Sequence, residues 1–245
     1  MYRITAPNGT VSHLVGGVHT YNETVIAHVR TLFNLVEPEL LLTEYMELTK
    51  ENSEAMDNFG PMPEVLLNRM EAILPQVKLS KDDSILIAFT KFMVGADRIL
   101  DASRSSDKYL DAALISYAKS KGVETDYAES HDDNLNSVKM LTQKDMLESI
   151  EYFLTMAERY GLEYMIAYIH RHIIAGDCDA IFEELNGSNT AFSQKLCMHR
   201  DKAMAKRIAK AGKKQRCFVL VGASHIPGVI KHLEEAGYSV TDLRR

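Results

Sequence analysis

The sequence of 245 residues contains no tryptophan, six prolines and only three cysteines. Cys178, Cys197 and Cys217 are widely separated and odd in number, and no CxxC pair is present. This pattern excludes a zinc knuckle or a CxxC redox pair and is typical of a protein from a reducing compartment. We therefore expect a cytoplasmic location.

Long apolar runs are also missing. The most apolar stretch, around Ile85–Phe89, is interrupted by Lys91 and Asp97, so it falls short of the ~20 apolar residues that a helix needs to cross a bilayer. The first residues lack the basic and apolar segments of a signal peptide. The sequence therefore predicts a soluble protein without a membrane partner.

Basic residues are fewer than acidic ones, with 28 Lys and Arg against 34 Asp and Glu, which gives a net charge of -6. This balance disfavours nonspecific binding of nucleic acid, although it does not exclude local basic patches. A chain of this length with 46% hydrophobic residues can bury a full core. We predict a single domain over residues 1–245 and leave open whether the protein is a homo-oligomer.

A GxxH motif occurs twice, at Gly16–His19 and at Gly222–His225. Each copy follows a short apolar run typical of a strand and precedes a helical pattern. Val25–Val29 after the first copy also resembles Val229–Leu233 after the second. Ligands of α/β sheets bind in a crevice outside the carboxyl ends of the strands. We therefore expect the two histidines to meet in one crevice.

The predicted fold class is α/β, with a central mixed β-sheet built from amino- and carboxyl-terminal β-GxxH-α-β units. A mainly helical middle segment is expected over approximately residues 47–211, including a helical block from about Gln143 to His172. The Asn8-Gly9 pair predicts a type I′ hairpin turn, in which both central residues need positive φ. Asn22 is suited to cap the first helix, and Leu40–Thr43 reads as a buried strand.

His19 and His225 are the strongest candidate site residues. Gly17 and Gly222 in the preceding turns let the backbone approach a ligand closely, and neutral imidazole is the commonest metal ligand. A single histidine in such a place would more often cap a helix or satisfy a buried backbone group. Because the motif is duplicated, we favour a shared site.

Two glutamates are candidates for the same crevice. Glu44 follows a predicted strand, where its carboxylate can complete a metal site with two histidines or act as general base toward a metal-bound water. A plain surface position is the simpler alternative for Glu44. Glu124 also lies at an apparent strand end, so it is a second candidate carboxylate for the same roles.

Arg200 and Asp201 lie in an otherwise amphipathic helix. Paired donors allow an arginine to hold a substrate carboxylate or to stabilise an oxyanion. We include both residues as candidate substrate contacts. An ordinary solvated helix charge is the alternative, and spacing alone does not decide between the two.

With these motifs assembled, the sequence resembles the TraB/PrgY, GumN and Tiki family over nearly its whole length. The similar segments, in order, are Leu14–His19, Leu42–Glu44, Gly122–Thr125, Ala175–Asp177, His199–Asp201 and Gly222–Gly228. The last two resemble the family's Glu-Arg-Asn or Glu-Arg-Asp motif and its second GxxH motif with a trailing glycine. Each motif is weak by itself, whereas their order is specific.

The resemblance implies a metal-dependent peptidase fold related to the erythromycin esterase and ChaN-like groups, with two histidines and a glutamate at the site. It also implies manganese or cobalt as the divalent metal ion, with zinc as a further option. His199 departs from the family pattern, which has glutamate before the arginine. The sequence also shows no signal peptide or anchor of the kind that many relatives carry.

These observations predict a metal-dependent hydrolase that acts on a peptide or another amide. His19, His225 and Glu44 would hold the ion, Glu124 or Glu44 would handle the proton, and Arg200 would stabilise developing negative charge. One alternative is a binding or sequestering protein that holds a peptide, a signalling molecule or a haem-like ligand without turnover. A further alternative is a metal-free histidine esterase. The helical middle is expected to be either a lid or a partner surface.

Overall fold

The structure is a computed structural model that describes residues 1–44, 54, 59–100, 106–178, 180 and 191–244. The remaining parts of the predicted helical middle, and Arg245, lie outside the described residues. The strands within the described ranges are β1 Tyr2–Thr5, β2 Val11–Gly17, β3 Leu40–Thr43, β4 Glu124–Tyr127, β5 Cys217–Gly222 and β6 Ser239–Asp242. The helices within the described residues are α1 Glu23–Val36, α2 Glu64–Ile73, α3 Ile85–Leu100, α4 Leu110–Ser120, α5 His131–Lys139, α6 Gln143–Tyr160, α7 Leu162–Ala175, α8 Ala191–Gly212 and α9 Ile226–Glu235.

The strands form one mixed sheet in the order β4-β3-β5-β2-β1-β6. Strands β4, β3, β5 and β2 are parallel, whereas β1 pairs antiparallel with both β2 and β6. The predicted mixed sheet, with strands from both ends of the chain, is therefore confirmed. The two GxxH strands are neighbours, and Gly17 of β2 lies opposite Gly222 of β5. This register brings both histidine motifs to the same edge of the sheet.

The amino-terminal hairpin is present, but its turn differs from the prediction. Of the two central residues, only Gly9 has a positive φ, +87°. The N–H of Gly9 donates to the carbonyl of Ala6, and the N–H of Ala6 donates to the carbonyl of Thr10. This is the pattern of a type I turn followed by a left-handed glycine, which leaves Asn8 in an ordinary conformation.

Local sequence signals account for most element boundaries. The side chain of Asn22 accepts a hydrogen bond from the N–H of Val25 and caps α1, as predicted. All four residues of β3 are buried, in agreement with their continuous apolar character. The helical block after Gln143 is broken at Gly161, whose φ of +85° ends α6 before α7 begins.

Two hydrophobic clusters build the core. One cluster surrounds the sheet and its flanking helices, and the other lies within the helical middle, where Met70 and Phe92 are fully buried. The helical middle is thus a packed layer with a core of its own, and it faces the carboxyl edge of the sheet across a cavity. Among the helices of the described ranges, none has the length and apolar character that would let it cross a membrane.

Candidate functional site

A cavity of about 340 Å³ lies beyond the carboxyl ends of β2, β3 and β5. Both GxxH histidines line it, together with Glu44 and Arg200, so the structure brings these four predicted residues together. The helical middle supplies a mostly apolar wall. The described residues of that wall are Phe89, Met93, Ser149, Tyr152, Phe153, Ile169, Ile173 and Leu196. Polar groups therefore line one side of the cavity and apolar groups line the other.

Glu44 follows β3 directly and is buried, with an exposed fraction of 3%. Its Oε1 accepts a hydrogen bond from the backbone N–H of Gly222, and its Oε2 accepts one of 2.6 Å from Nη2 of Arg200. A Cβ at residue 222 would lie 2.8 Å from Glu44 Oε1, so a larger residue there would force the Glu44 carboxylate to shift. Burial by itself would raise the pKa of Glu44, but Arg200, His225 and His19 hold it well below its usual range.

Arg200, on α8, is held between two buried carboxylates. Its Nε donates to Glu129 Oε2 at 2.8 Å, and its Nη2 donates to Glu129 Oε1 at 2.5 Å and to Glu44. Desolvation opposes the charge on Arg200, but the two glutamates outweigh it and raise the pKa of the guanidinium. Of the three guanidinium nitrogens of Arg200, Nη1 has no hydrogen-bond partner among the described residues. Arg200 is thus mainly an internal counter-ion of the two glutamates.

Glu129 is a site residue that sequence reasoning missed. It is fully buried and lies two residues beyond β4, as Glu44 lies one residue beyond the adjacent strand β3. The two carboxylates therefore come from neighbouring parallel strands. The sequence signal for Glu129 is a glutamate just after a strand, as for Glu44. We applied this signal to Glu124 instead of Glu129.

Glu124 does not join the site. It is the first residue of β4, not a residue at the strand's carboxyl end, and it pairs with Leu40 at the beginning of β3. Its side chain is exposed, at the edge of the sheet opposite the cavity. The predicted position of Glu124 was wrong because β4 alternates between exposed and partly buried residues and has no apolar run that would mark its ends.

His225 is held by Asp201 from α8. Nδ1 of His225 lies 2.6 Å from Asp201 Oδ1, and its Nε2 lies 3.8 Å from Glu44 Oε2. Burial would lower the pKa of His225, but Glu44 and Asp201 raise it to about 10. Burial raises the pKa of Asp201, and His225 opposes that shift. Asp201, predicted as a substrate contact, therefore orients a histidine.

His19 has a similar arrangement at the mouth of the cavity. Its Nδ1 lies 3.0 Å from Oδ2 of Asp111, in the first turn of α4, and its side chain is 51% exposed while that of Asp111 is 5% exposed. Partial burial lowers the pKa of His19, but the Asp111 carboxylate outweighs this effect and raises it to about 9. No hydrogen bond joins Nε2 of His19 to a described residue.

The loop after His19 is tied to the helical middle by a polar network. Thr20 Oγ1 donates to Asp97 Oδ1 at 2.8 Å, and the N–H of Tyr21 donates to Asp97 Oδ2 at 2.5 Å. Nε2 of His170 lies 2.9 Å from Thr20 Oγ1 and 3.1 Å from Asp97 Oδ1. Helices α3 and α7 thereby fix the backbone next to His19, a contribution that sequence reasoning missed.

The donors in the cavity fit a divalent cation by their chemistry. Metal bonds to imidazole nitrogen and carboxylate oxygen are about 2.1 Å long, so two ligands of one ion lie within about 4 Å of each other. Nε2 of His225 and Oε2 of Glu44, 3.8 Å apart, satisfy that limit. Over the described part of the chain, however, no three His, Cys, Asp or Glu side chains form a ready-made metal cluster. His19 would have to approach this pair to complete it.

The chain matches the model of a known protein family. The family described as the TraB/PrgY/gumN family matches residues 1–242, nearly the whole chain. No curated protein matches the sequence. The matched range includes both GxxH motifs, the two strand-end glutamates and the arginine between them.

Proposed function

The chain belongs to the TraB/PrgY/gumN family, and on that premise we propose that it is a hydrolase that cleaves a peptide or another amide bond with the help of a divalent metal ion. The observation that supports this most strongly is the pairing of both GxxH histidines with buried carboxylates in one cavity. In each pair the carboxylate contacts Nδ1, which leaves Nε2 for another partner. A carboxylate on the second nitrogen is the usual companion of a metal-binding histidine.

The charges around the cavity favour a cation. Glu44, Asp111, Glu129 and Asp201 supply four buried carboxylates, and Arg200 is the permanent cation that pairs with two of them. With neutral histidines the site therefore carries excess negative charge, which a divalent ion would offset. A mixture of nitrogen and oxygen donors suits manganese, cobalt or zinc.

His19, His225 and Glu44 would hold this ion. When bound, it would polarise the scissile carbonyl and lower the pKa of a bound water. Asp111 and Asp201 hold the two imidazole rings in the orientation that binding requires. Of the two glutamates predicted to handle the proton of the attacking water, Glu44 lies at the cavity and Glu124 at the opposite edge of the sheet. Because Arg200 holds the pKa of Glu44 well below its usual range, Glu44 would act mainly as a ligand and only as a weak base.

Arg200 serves this site in two ways. Its contacts with Glu44 and Glu129 fix both carboxylates. Its Nη1, which has no hydrogen-bond partner in the described structure, would stabilise negative charge on the substrate oxygen. Arg200 would therefore contact the substrate through a single nitrogen and not through paired guanidinium donors.

A metal-free hydrolase is a second candidate, favoured by the His225–Asp201 pair. The 2.6 Å contact resembles the histidine–carboxylate pair of general acid–base sites, in which the carboxylate orients the ring and stabilises its protonated form. Because the pKa of His225 is raised to about 10, its ring is protonated at neutral pH. It would then donate a proton to the leaving amine.

The test combines metal analysis with a hydrolysis screen. Protein purified without an affinity-metal column would be depleted with a chelator, reloaded with manganese, cobalt or zinc, and assayed on fluorogenic peptides, simple amides and esters. We expect turnover that requires the ion and is lost in His19→Ala and His225→Ala. His28→Ala is the matched control, because His28 lies on α1 outside the cavity.

Each other outcome has a defined meaning. Turnover that survives chelation but not His225→Ala would favour the metal-free hydrolase. A ligand that saturates one site per chain without being consumed would identify a sequestering protein. Full hydrolytic activity in the double variant of His19 and His225 would overturn both catalytic assignments.

The proposed substrate is a peptide or a small molecule, and the proposed location is the cytoplasm. The three cysteines are buried and none of them is part of a disulfide in the described structure, which supports a reducing compartment. The apolar wall of the cavity supports a substrate with an apolar group beside the scissile bond.

A further inference from the structure

A second concave surface lies on the outer side of α8, away from the candidate site. This groove of about 650 Å³ is formed by α8, the turn after it, and α9. Five lysines line it, and all five are exposed: Lys202, Lys206, Lys210, Lys213 and Lys214. In the described part of the chain, none of them forms an ion pair. The small side chains of Ala205 and Ala209 form the bottom of the groove, between the lysines and α9.

We propose that this groove binds an acidic segment of a partner polypeptide in an extended conformation. The juxtaposition of five unpaired lysines in one concavity carries the inference, because the protein as a whole has a net charge of -6. The net negative charge repels an acidic chain, whereas this basic groove attracts it. Charge of this kind steers association and sets the register of the complex.

The spacing of the lysines matches an extended chain. Lys202, Lys206 and Lys210 follow one another at four-residue intervals on α8, which places them about 6 Å apart along the helix axis. Alternate side chains of an extended chain are about 6.7 Å apart. A segment with acidic residues at alternate positions would therefore present one carboxylate to each lysine in turn.

The side of the groove formed by α9 is also influenced by the positive charge of the lysines. His232 and Glu235 of α9 form a hydrogen-bonded pair, with Nδ1 of His232 2.8 Å from Glu235 Oε2. That hydrogen bond lowers the pKa of the Glu235 carboxyl, and Lys231 and Lys202 lower it further. The groove is thus positive even beside its own carboxylate.

Other polyanions fit the groove less well. Its described lining contains no phenylalanine, tyrosine, tryptophan or arginine, whereas single-stranded nucleic acid is held mainly by base stacking on such aromatic rings. A flat membrane surface would reach the lysine ends but would leave the concavity unfilled. A narrow polypeptide chain fills it and can bring its backbone close to the alanines.

The experiment measures binding of a labelled peptide of alternating glutamate and serine to the full chain by fluorescence anisotropy at several salt concentrations. We expect saturable binding that weakens with salt and that falls roughly tenfold or more in Lys206→Glu/Lys210→Glu. The neutral double variant Lys206→Gln/Lys210→Gln should have an intermediate affinity. Neither residue belongs to the candidate hydrolytic site.

The matched control is Lys78→Glu/Lys119→Glu, which changes the net charge equally at exposed lysines outside the groove. This control should bind within about twofold of the unmodified protein, since distant surface charges are screened. Equal losses in both charge-reversed variants would overturn the proposal. So would equal binding of a glutamine–serine peptide, or binding of an oligonucleotide, polyphosphate or anionic vesicles in place of the acidic peptide.

Discussion

Asp201 packs against Gly228 so closely that a side chain at position 228 would overlap its carboxylate. A Cβ at this position would collide with Oδ2 and would lie 3.0 Å from Cβ of Asp201. The same Asp201 holds Nδ1 of His225. The glycine that trails the second GxxH motif therefore makes room for the carboxylate that orients the motif's histidine.

This relationship predicts a functional defect in Gly228→Ala. The added methyl group would displace Asp201 and loosen His225, so we expect hydrolytic activity to fall by at least about tenfold, as for other losses of an orienting group. The kinetics should be compared with those of Gly212→Ala, whose new Cβ meets its nearest atom at an ordinary 3.5 Å. Equal activity in the two variants would contradict the assigned role of Gly228.

Glu129→Gln should destabilise the protein. It removes the charge that faces both Nε and Nη2 of Arg200 and leaves a buried guanidinium with Glu44 as its remaining charged partner. Loss of one member of a buried ion pair costs about 3–5 kcal/mol. Urea denaturation measures this difference directly.

Glu124→Gln is the control for that measurement, because Glu124 is exposed at the other edge of the sheet. We expect its free energy of unfolding to stay within about 0.5 kcal/mol of the unmodified value. A larger effect at Glu124 than at Glu129 would reverse the assignment of the second carboxylate.

Thr20→Val should reduce activity more than it reduces binding. The substitution keeps the shape of the side chain but removes the hydroxyl that joins Asp97, His170 and the N–H of Asn22. The backbone next to His19 would then lose its direct hydrogen bond to α7 and keep only the bond from the N–H of Tyr21 to Asp97 on α3, and we expect kcat to fall roughly tenfold with little change in KM. Thr31→Val is the control, since Thr31 is exposed and its hydroxyl donates to the carbonyl of Ala27 within α1. Matched losses in the two variants would rule out positioning by Thr20.

The stability of the metal-depleted protein should fall as pH rises above the neutral range. The pKa of His225 is raised from an unfolded value of 6.5 to about 10, and that of His19 is raised to about 9. A group with a raised pKa stabilises the folded state fully below its unfolded pKa and loses that contribution as pH rises through the folded pKa. The free energy of unfolding should therefore decline between about pH 6.5 and pH 10.

The measurement is a series of urea denaturation curves across this pH range. His225→Gln should flatten the decline, because it removes the group with the larger shift, whereas His28→Gln should leave it unchanged. A stability profile that is equally steep in His225→Gln would show that other groups control the alkaline transition.

The sequence alone was enough to predict much of the fold. The repeated strand–GxxH–helix pattern predicted two equivalent units, and the carboxyl ends of parallel strands necessarily share one edge of a sheet. His19, His225 and Glu44 could therefore be placed in one cavity before the structure was known. Asn22 and β3 could be recognised because caps and buried strands depend mainly on neighbouring residues.

The partners of these residues were decided by tertiary packing. Glu129 rather than Glu124 joins the site because β4 begins at Glu124 and ends two residues before Glu129. Strand β4 is partly exposed and has no apolar run, so the sequence does not show where it begins. Asp111 approaches His19 across 92 residues of sequence, and Asp97 approaches His170 across 73. Local periodicity predicts that such residues lie on helices, but how the helices pack determines which side chains meet. The sequence by itself thus determined where the two histidines lie, whereas the tertiary structure decided which charges surround and orient them.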